Sequence, residues 1–112
     1  MRYHHLGIPT DKQREDEQYL ADLKMHVTGL DSLLYGIEWM RFDTDCPLPE
    51  IVQNIPHMAF AVRDLDKALD GQEVIVAPTK PFEGVKVAFV IQDGAPVEYM
   101  QFDTSPWDEQ IY

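Results

Sequence analysis

The chain has 112 residues, with 20 acidic side chains against 9 basic ones and a formal net charge of −11. Such a surface repels phosphate backbones and anionic lipids, so neither nucleic acid nor a membrane is expected as a partner. Its 45% hydrophobic content suits one globular domain, and no stretch approaches the roughly 20 apolar residues of a membrane helix. The single cysteine, Cys46, has no partner for an internal disulfide and no secretory leader is expected, which together point to a cytoplasmic protein.

In chain order, His5-Leu6-Gly7-Ile8-Pro9 alternates bulky and small residues and predicts a strand. Asp11 to Leu23 is acidic at its start and places Leu20 and Leu23 at helical spacing, so a helix is expected there. Met25–Thr28 and Gly36–Phe42 follow as strands. Residues 44–56 carry Pro47, Pro49 and Pro56 and are expected to be a linker. His57-Met58-Ala59-Phe60-Ala61 predicts another strand. Asp64 is a fair N-cap for a short helix with Leu65, Ala68 and Leu69 on one face. Glu73–Ala77, Val85–Ile91 and Val97–Phe102 complete the set, with turns at Gly84 and at Asp93-Gly94.

The two halves repeat each other. Residues 37–44 and 97–104 agree at five of eight positions, and the histidine-led strands at His5 and His57 correspond. The expected organisation is therefore module one over 1–43, linker 44–56, module two over 57–104 and a tail over 105–112. The first module is eight residues shorter between its histidine and its glutamate, and a trimmed or missing third strand accounts for the difference.

Strand parity sorts the side chains. His5 shares a face with Gly7, and His57 with Ala59. Glu38 shares a face with Met40 and Phe42, and Glu98 with Met100 and Phe102. The opposite faces, with Leu6, Ile8, Trp39, Phe60 and Tyr99, are the natural floor for helices. A lone histidine at a strand start is ordinarily a core or surface histidine. Recurrence of the same pair at matched positions, beside small residues that leave space, makes His5, Glu38, His57 and Glu98 candidate metal ligands. By the same parity His4 belongs to the face opposite His5. His26 has no counterpart in the repeat, and Cys46 has no neighbouring base.

These residues, above all His57-Met58-Ala59-Phe60-Ala61-Val62-Arg63-Asp64-Leu65 with Val97-Glu98-Tyr99-Met100, and His5-Leu6-Gly7-Ile8, resemble the vicinal oxygen chelate superfamily and its glyoxalase-like branch. The resemblance implies an α+β fold in which two βαβββ modules form a cupped mixed sheet, here with the first module shortened. It also implies a divalent metal held by His5, Glu38, His57 and Glu98. Zinc or nickel comes first, and cobalt, manganese or iron also suits mixed nitrogen and oxygen donors. The implied activity is that of a lyase or isomerase acting on a small α-hydroxycarbonyl compound through a metal-stabilised enediolate, with Glu98 or Glu38 as the catalytic base. Two alternatives share the cup: a non-catalytic small-molecule binding module, and an iron(II) extradiol-type dioxygenase. A small-molecule substrate and a homodimer are the expected partners, the dimer because a missing strand would leave an open sheet edge.

Overall fold

A computed structural model describes residues 1–28 and 35–103. The expected tail beyond residue 103 lies outside them. Eight strands form one mixed sheet: β1 (Arg2–Pro9), β2 (Gln18–Leu20), β3 (Met25–Val27), β4 (Ile37–Phe42), β5 (His57–Ala61), β6 (Glu73–Phe82), β7 (Val85–Gln92) and β8 (Ala95–Phe102). Two five-residue helices accompany them, α1 (Glu50–Asn54) and α2 (Leu65–Leu69). The spatial order is β2-β3-β4-β1-β5-β8-β7-β6, which reads the same from either end as module one and then module two. β1 runs parallel to β4, β5 runs parallel to β8, and the two halves join where β1 and β5 pair antiparallel. The α+β fold of two modules in a curled sheet is thus the one the resemblance implied.

The difference between the modules is not the one expected from the sequence. All four strands of module one are present, and its third is the short β3. Among the described residues of module one the helix is lacking: residues 11–23 run as an extended segment into β2 and a turn. The physical reason lies in the residues. Leu20 and Leu23 give one short apolar contact, too little to bury a helix face, while Glu17 and Tyr19 find polar partners on the sheet. Glu17 accepts from Arg41 Nε at 2.9 Å and from Nη2 at 2.8 Å, and that guanidinium holds its carboxyl down at about 2. Tyr19 donates to Asp43 at 3.0 Å, and the Arg14 guanidinium lies 4.5 Å from the centre of the Trp39 ring. In module two the corresponding outer face is covered as expected. Asp64 caps α2 by accepting from the Lys67 amide at 3.1 Å. Leu65 is fully buried against Val62, Ala88, Val90, Val97 and Tyr99.

The hairpin turns are also where the sequence placed them. Asp93 and Gly94 both have positive φ, +51° and +81°, the geometry an Asp-Gly two-residue hairpin requires. β6 runs to Phe82, well past Ala77, and carries Pro78 and Pro81 on the outer edge of the sheet, where missing N–H donors cost no ladder bond. On the concave side, the linker contributes more than spacing. Its α1 turns Val52 inward to complete exclusion from solvent, and Val52 joins Met25, Val27, Met40, Leu48 and Phe89 in the larger apolar cluster.

Leu65→Ala should destabilise the fold by about 2–5 kcal/mol, as deletion of a fully buried leucine does. Urea unfolding followed by circular dichroism measures it.

Candidate metal centre

The site arises from the register at the seam. His57 lies opposite Gly7, and Gly7 is in turn opposite Glu38 on β4. His5 lies opposite Ala59, which is opposite Glu98 on β8. Each row across the sheet therefore reads histidine, small residue, glutamate. Strands lie about 4.8 Å apart, so one small side chain between two long ones leaves a hollow into which both can lean. The hollow over Gly7 is already taken: a methyl group added there would collide with the His57 ring. Phe89 closes the other side of His57, edge-on at 4.9 Å.

The leaning brings three groups together. His57 Nε2 and Glu98 Oε1 are hydrogen bonded at 3.0 Å, and His5 Nε2 lies 3.3 Å from the same oxygen. One donor atom from each of His5, His57 and Glu98 falls within 4.8 Å of the others. Glu38 stands beside this trio, its Oε2 being 3.6 Å from His5 Nε2. All four residues are buried, His5 and His57 to within 1–2% of full exclusion. The structure thus gathers His5, His57 and Glu98 and sets Glu38 at the margin.

The electrostatics separate the two carboxylates. Burial acts to raise the Glu98 carboxyl, but hydrogen bonds to His5 and His57 and the charges on those rings outweigh it and hold the group at about 2. Burial likewise raises Glu38; His5 opposes the rise and the negative Glu98 adds to it, so the group reaches about 7. Burial lowers His5, yet its hydrogen bond and charge interaction with Glu98, then the charge of Glu38, leave it raised overall.

The donor set fits a divalent cation. Two imidazoles and one or two carboxylates form a mixed nitrogen and oxygen set of the kind zinc, iron and their neighbours accept. His57 Nδ1 is buried with no hydrogen-bond partner, and the equally buried His5 Nε2 lies against both carboxylates, 3.3 Å from Glu98 and 3.6 Å from Glu38. The space beside the cluster is small, about 50 Å³, with Leu20, Leu23, Met25, Val52, Phe82 and Phe89 among its walls. That holds an ion with a water or two, well short of the several hundred Å³ of an ordinary small-molecule pocket.

The structure corrects the placement of His4. β1 contains a bulge: Tyr3 pairs with Phe60 and His5 with Ala59, so His4 is an extra residue on its strand. Tyr3 is thereby turned to the outer face, where its ring meets Phe60 edge-on. His4 is not on the face opposite His5. Its ring lies against Phe102, which shares the inner face of Glu98, and its Nδ1 is 2.8 Å from His5 Nδ1. Period-two parity has no means of finding this, because the inserted residue breaks the period. Val52 was also missed, since three prolines in thirteen residues read as a linker. His26 lies away from the cluster, 3.1 Å from Asp43, and Cys46 is a partly buried residue packed on the inner apolar cluster.

No known family profile matches the chain, and no curated protein matches its sequence. Solved structures do match. A hypothetical protein of Bacillus halodurans C-125 superposes with a TM-score of 0.71 at 16% identity, over 93% of this chain and 96% of that one. Methylmalonyl-CoA epimerase from Mycobacterium tuberculosis superposes with a TM-score of 0.63 at 15% identity, over 89% of this chain and 87% of that one. At these identities the likeness is one of fold, the curled mixed sheet of two modules. Among the described residues no helix is long and apolar enough to cross a membrane.

Two outcomes follow from the geometry. Gly7→Ala should displace the His57 ring, destabilise the fold by about 1–3 kcal/mol through overpacking and weaken metal binding without altering a donor atom. Thermal unfolding and calorimetric titration with zinc measure the two effects. The second outcome concerns pH. Glu38 is raised from an ordinary 4.5 to about 7, so between those values the folded state holds a proton that the unfolded state has released. Metal-free protein should therefore lose stability as pH rises from 4.5 through 7, and Glu38→Gln should remove much of that slope. Glu98, depressed to about 2, contributes stability that is present above 4.5 and lost as pH falls toward 2. Urea midpoints across pH 3–8 in the presence of a chelator test both signs (about 3 to 8 being the span over which carboxylates and histidines titrate).

Proposed function

We propose that this chain is a metal-dependent isomerase or lyase of the glyoxalase-like type, which moves a proton between adjacent carbons of a small α-hydroxycarbonyl compound. The observation that carries the reading is the convergence of His5, His57 and Glu98 with a second, differently tuned carboxylate beside them. His5, His57 and Glu98 hold the ion. When bound, such an ion stabilises negative charge that develops on a substrate oxygen.

The remaining chemistry belongs to the chain. Glu38 stands outside the convergent trio, buried beside His5, where a carboxylate not committed to the ion is free to accept and return a proton. It is the proposed base. Glu98, committed to both histidines, is the proposed ligand. The apolar walls from Met25, Val52 and Phe89 exclude water and strengthen every charge interaction inside. The small hollow favours a substrate of a few heavy atoms near the reacting carbons, and it counts against storage of a bulky antibiotic. That a methylmalonyl-CoA epimerase shares the fold supports the choice of isomerase chemistry.

A second reading has one specific observation in its favour. The convergent set is two histidines and one carboxylate, the donor set of non-haem iron(II) oxygenases. Oxygen consumption with an aromatic diol, supported by iron(II) and not by zinc, would decide for it.

For the first reading, Glu38→Gln should keep metal affinity within a few-fold and slow metal-dependent exchange of the substrate's carbon-bound proton with deuterated water by about 10²–10⁴-fold. His57→Ala and Glu98→Ala should instead lose the metal. Zinc, nickel and cobalt titrations paired with NMR exchange assays on α-hydroxycarbonyl compounds and thiol hemiacetals measure this. Binding without exchange in metal-loaded protein would overturn the catalytic assignment.

A further inference from the structure

We infer that His4 is a positioning residue for the metal centre: through its hydrogen bond to His5 Nδ1 it fixes the ring so that Nε2 is presented to the site. The inference rests on the metal-binding reading of His5.

The bulge in β1 sets the position of His4. A regular β1 would carry His4 to the outer face. The extra residue between the Tyr3–Phe60 and His5–Ala59 pairs turns it inward instead. There its imidazole is half-buried, stacked at a tilt on Phe102 with ring centres 5.4 Å apart, and nearly perpendicular to the His5 ring. The two Nδ1 atoms are 2.8 Å apart, a hydrogen-bond distance, and a ligating His5 has to be neutral. One of them must donate and the other accept. If His5 donates from Nδ1, its Nε2 is left with a lone pair, and Nε2 is the buried atom that faces Glu98 and Glu38. If His4 donates, His5 Nε2 carries the hydrogen and cannot ligate. Metal binding therefore requires the first arrangement, with His4 as acceptor, and the chain supplies an acceptor at hydrogen-bond distance. The partner of a ligating histidine is ordinarily a carboxylate, carbonyl or water; here an imidazole fills that role.

His57 makes the contrast. Its Nε2 is hydrogen bonded to Glu98 and its Nδ1 is buried with no partner. For His57 to ligate through Nε2, the hydrogen has to move to an Nδ1 that nothing accepts from. The two histidines are thus unequal despite the repeat. His5 is oriented by a hydrogen bond at its back, and His57 is held by the Gly7 floor and the Phe89 edge.

The test uses full-length protein with ¹⁵N-labelled histidine. Three variants separate hydrogen bonding from packing. His4→Phe keeps a ring on Phe102 and removes the acceptor, His4→Asn restores an amide oxygen of similar reach, and His4→Ala removes both. In wild-type protein with zinc, the His5 spectrum should report the Nδ1–H form with a hydrogen-bonded proton. His4→Phe should lose that proton signal and bind zinc about 10–100-fold more weakly. His4→Asn should recover most of both, and unfolding midpoints should track packing rather than affinity. Wild-type zinc affinity and an unchanged His5 signal in His4→Phe would overturn the inference. So would equal losses in His4→Phe and His4→Asn. The metal reading fails separately: wild-type protein that binds no zinc, nickel or cobalt sinks that reading, and the inference with it. The pairing of the rings would then be read from the metal-free spectra alone.

Discussion

Everything in the site depends on the antiparallel register of β1 against β5. That one pairing sets Gly7 opposite His57 and Ala59 opposite His5, and so fixes which residues have room to lean and where. Shifting it by one residue would send both histidines to the outer face and replace them with Leu6 and Met58. The parallel pairings of β4 and β8 then bring a glutamate to each row.

Much of this was legible in the sequence because it is written with period two. His5, Glu38, His57 and Glu98 were found from matched positions and alternation, and the turns at Gly84 and Asp93-Gly94 from their backbone demands. What escaped was every feature that breaks a period or depends on a distant surface. The helix expected over Asp11–Leu23 gave way because Glu17, Tyr19 and Arg14 have partners on the sheet that an isolated segment does not reveal. The bulge at His4 adds one residue, and alternation carries no mark of it. Nor does the repeat reveal that Glu98 serves both histidines while Glu38 touches one, since the two glutamates hold equivalent strand positions.

The near-symmetry of the modules is therefore structural more than chemical. Two equivalent glutamates would share the ion and each titrate alike. Burial without compensating hydrogen bonds leaves Glu38 near neutrality, while two imidazoles draw Glu98 far below it. A pair of carboxylates with separated affinities for a proton can divide the tasks of ligand and base, which a symmetric pair cannot.

The extended course of residues 11–23, where module two has α2, has a consequence for how the two halves yield under stress. Module two hides its outer face under Leu65 and its apolar neighbours, so opening it exposes hydrocarbon to water. Denaturants that solvate such surface act strongly there. Module one is instead fastened on that side by Glu17 to Arg41, Tyr19 to Asp43 and Arg14 over Trp39. Those attachments are electrostatic and partly open to solvent, so dissolved ions compete with them directly. Urea and salt thus address different halves of the same sheet, and the seam between β1 and β5, where the histidines sit, is the boundary between the two regimes.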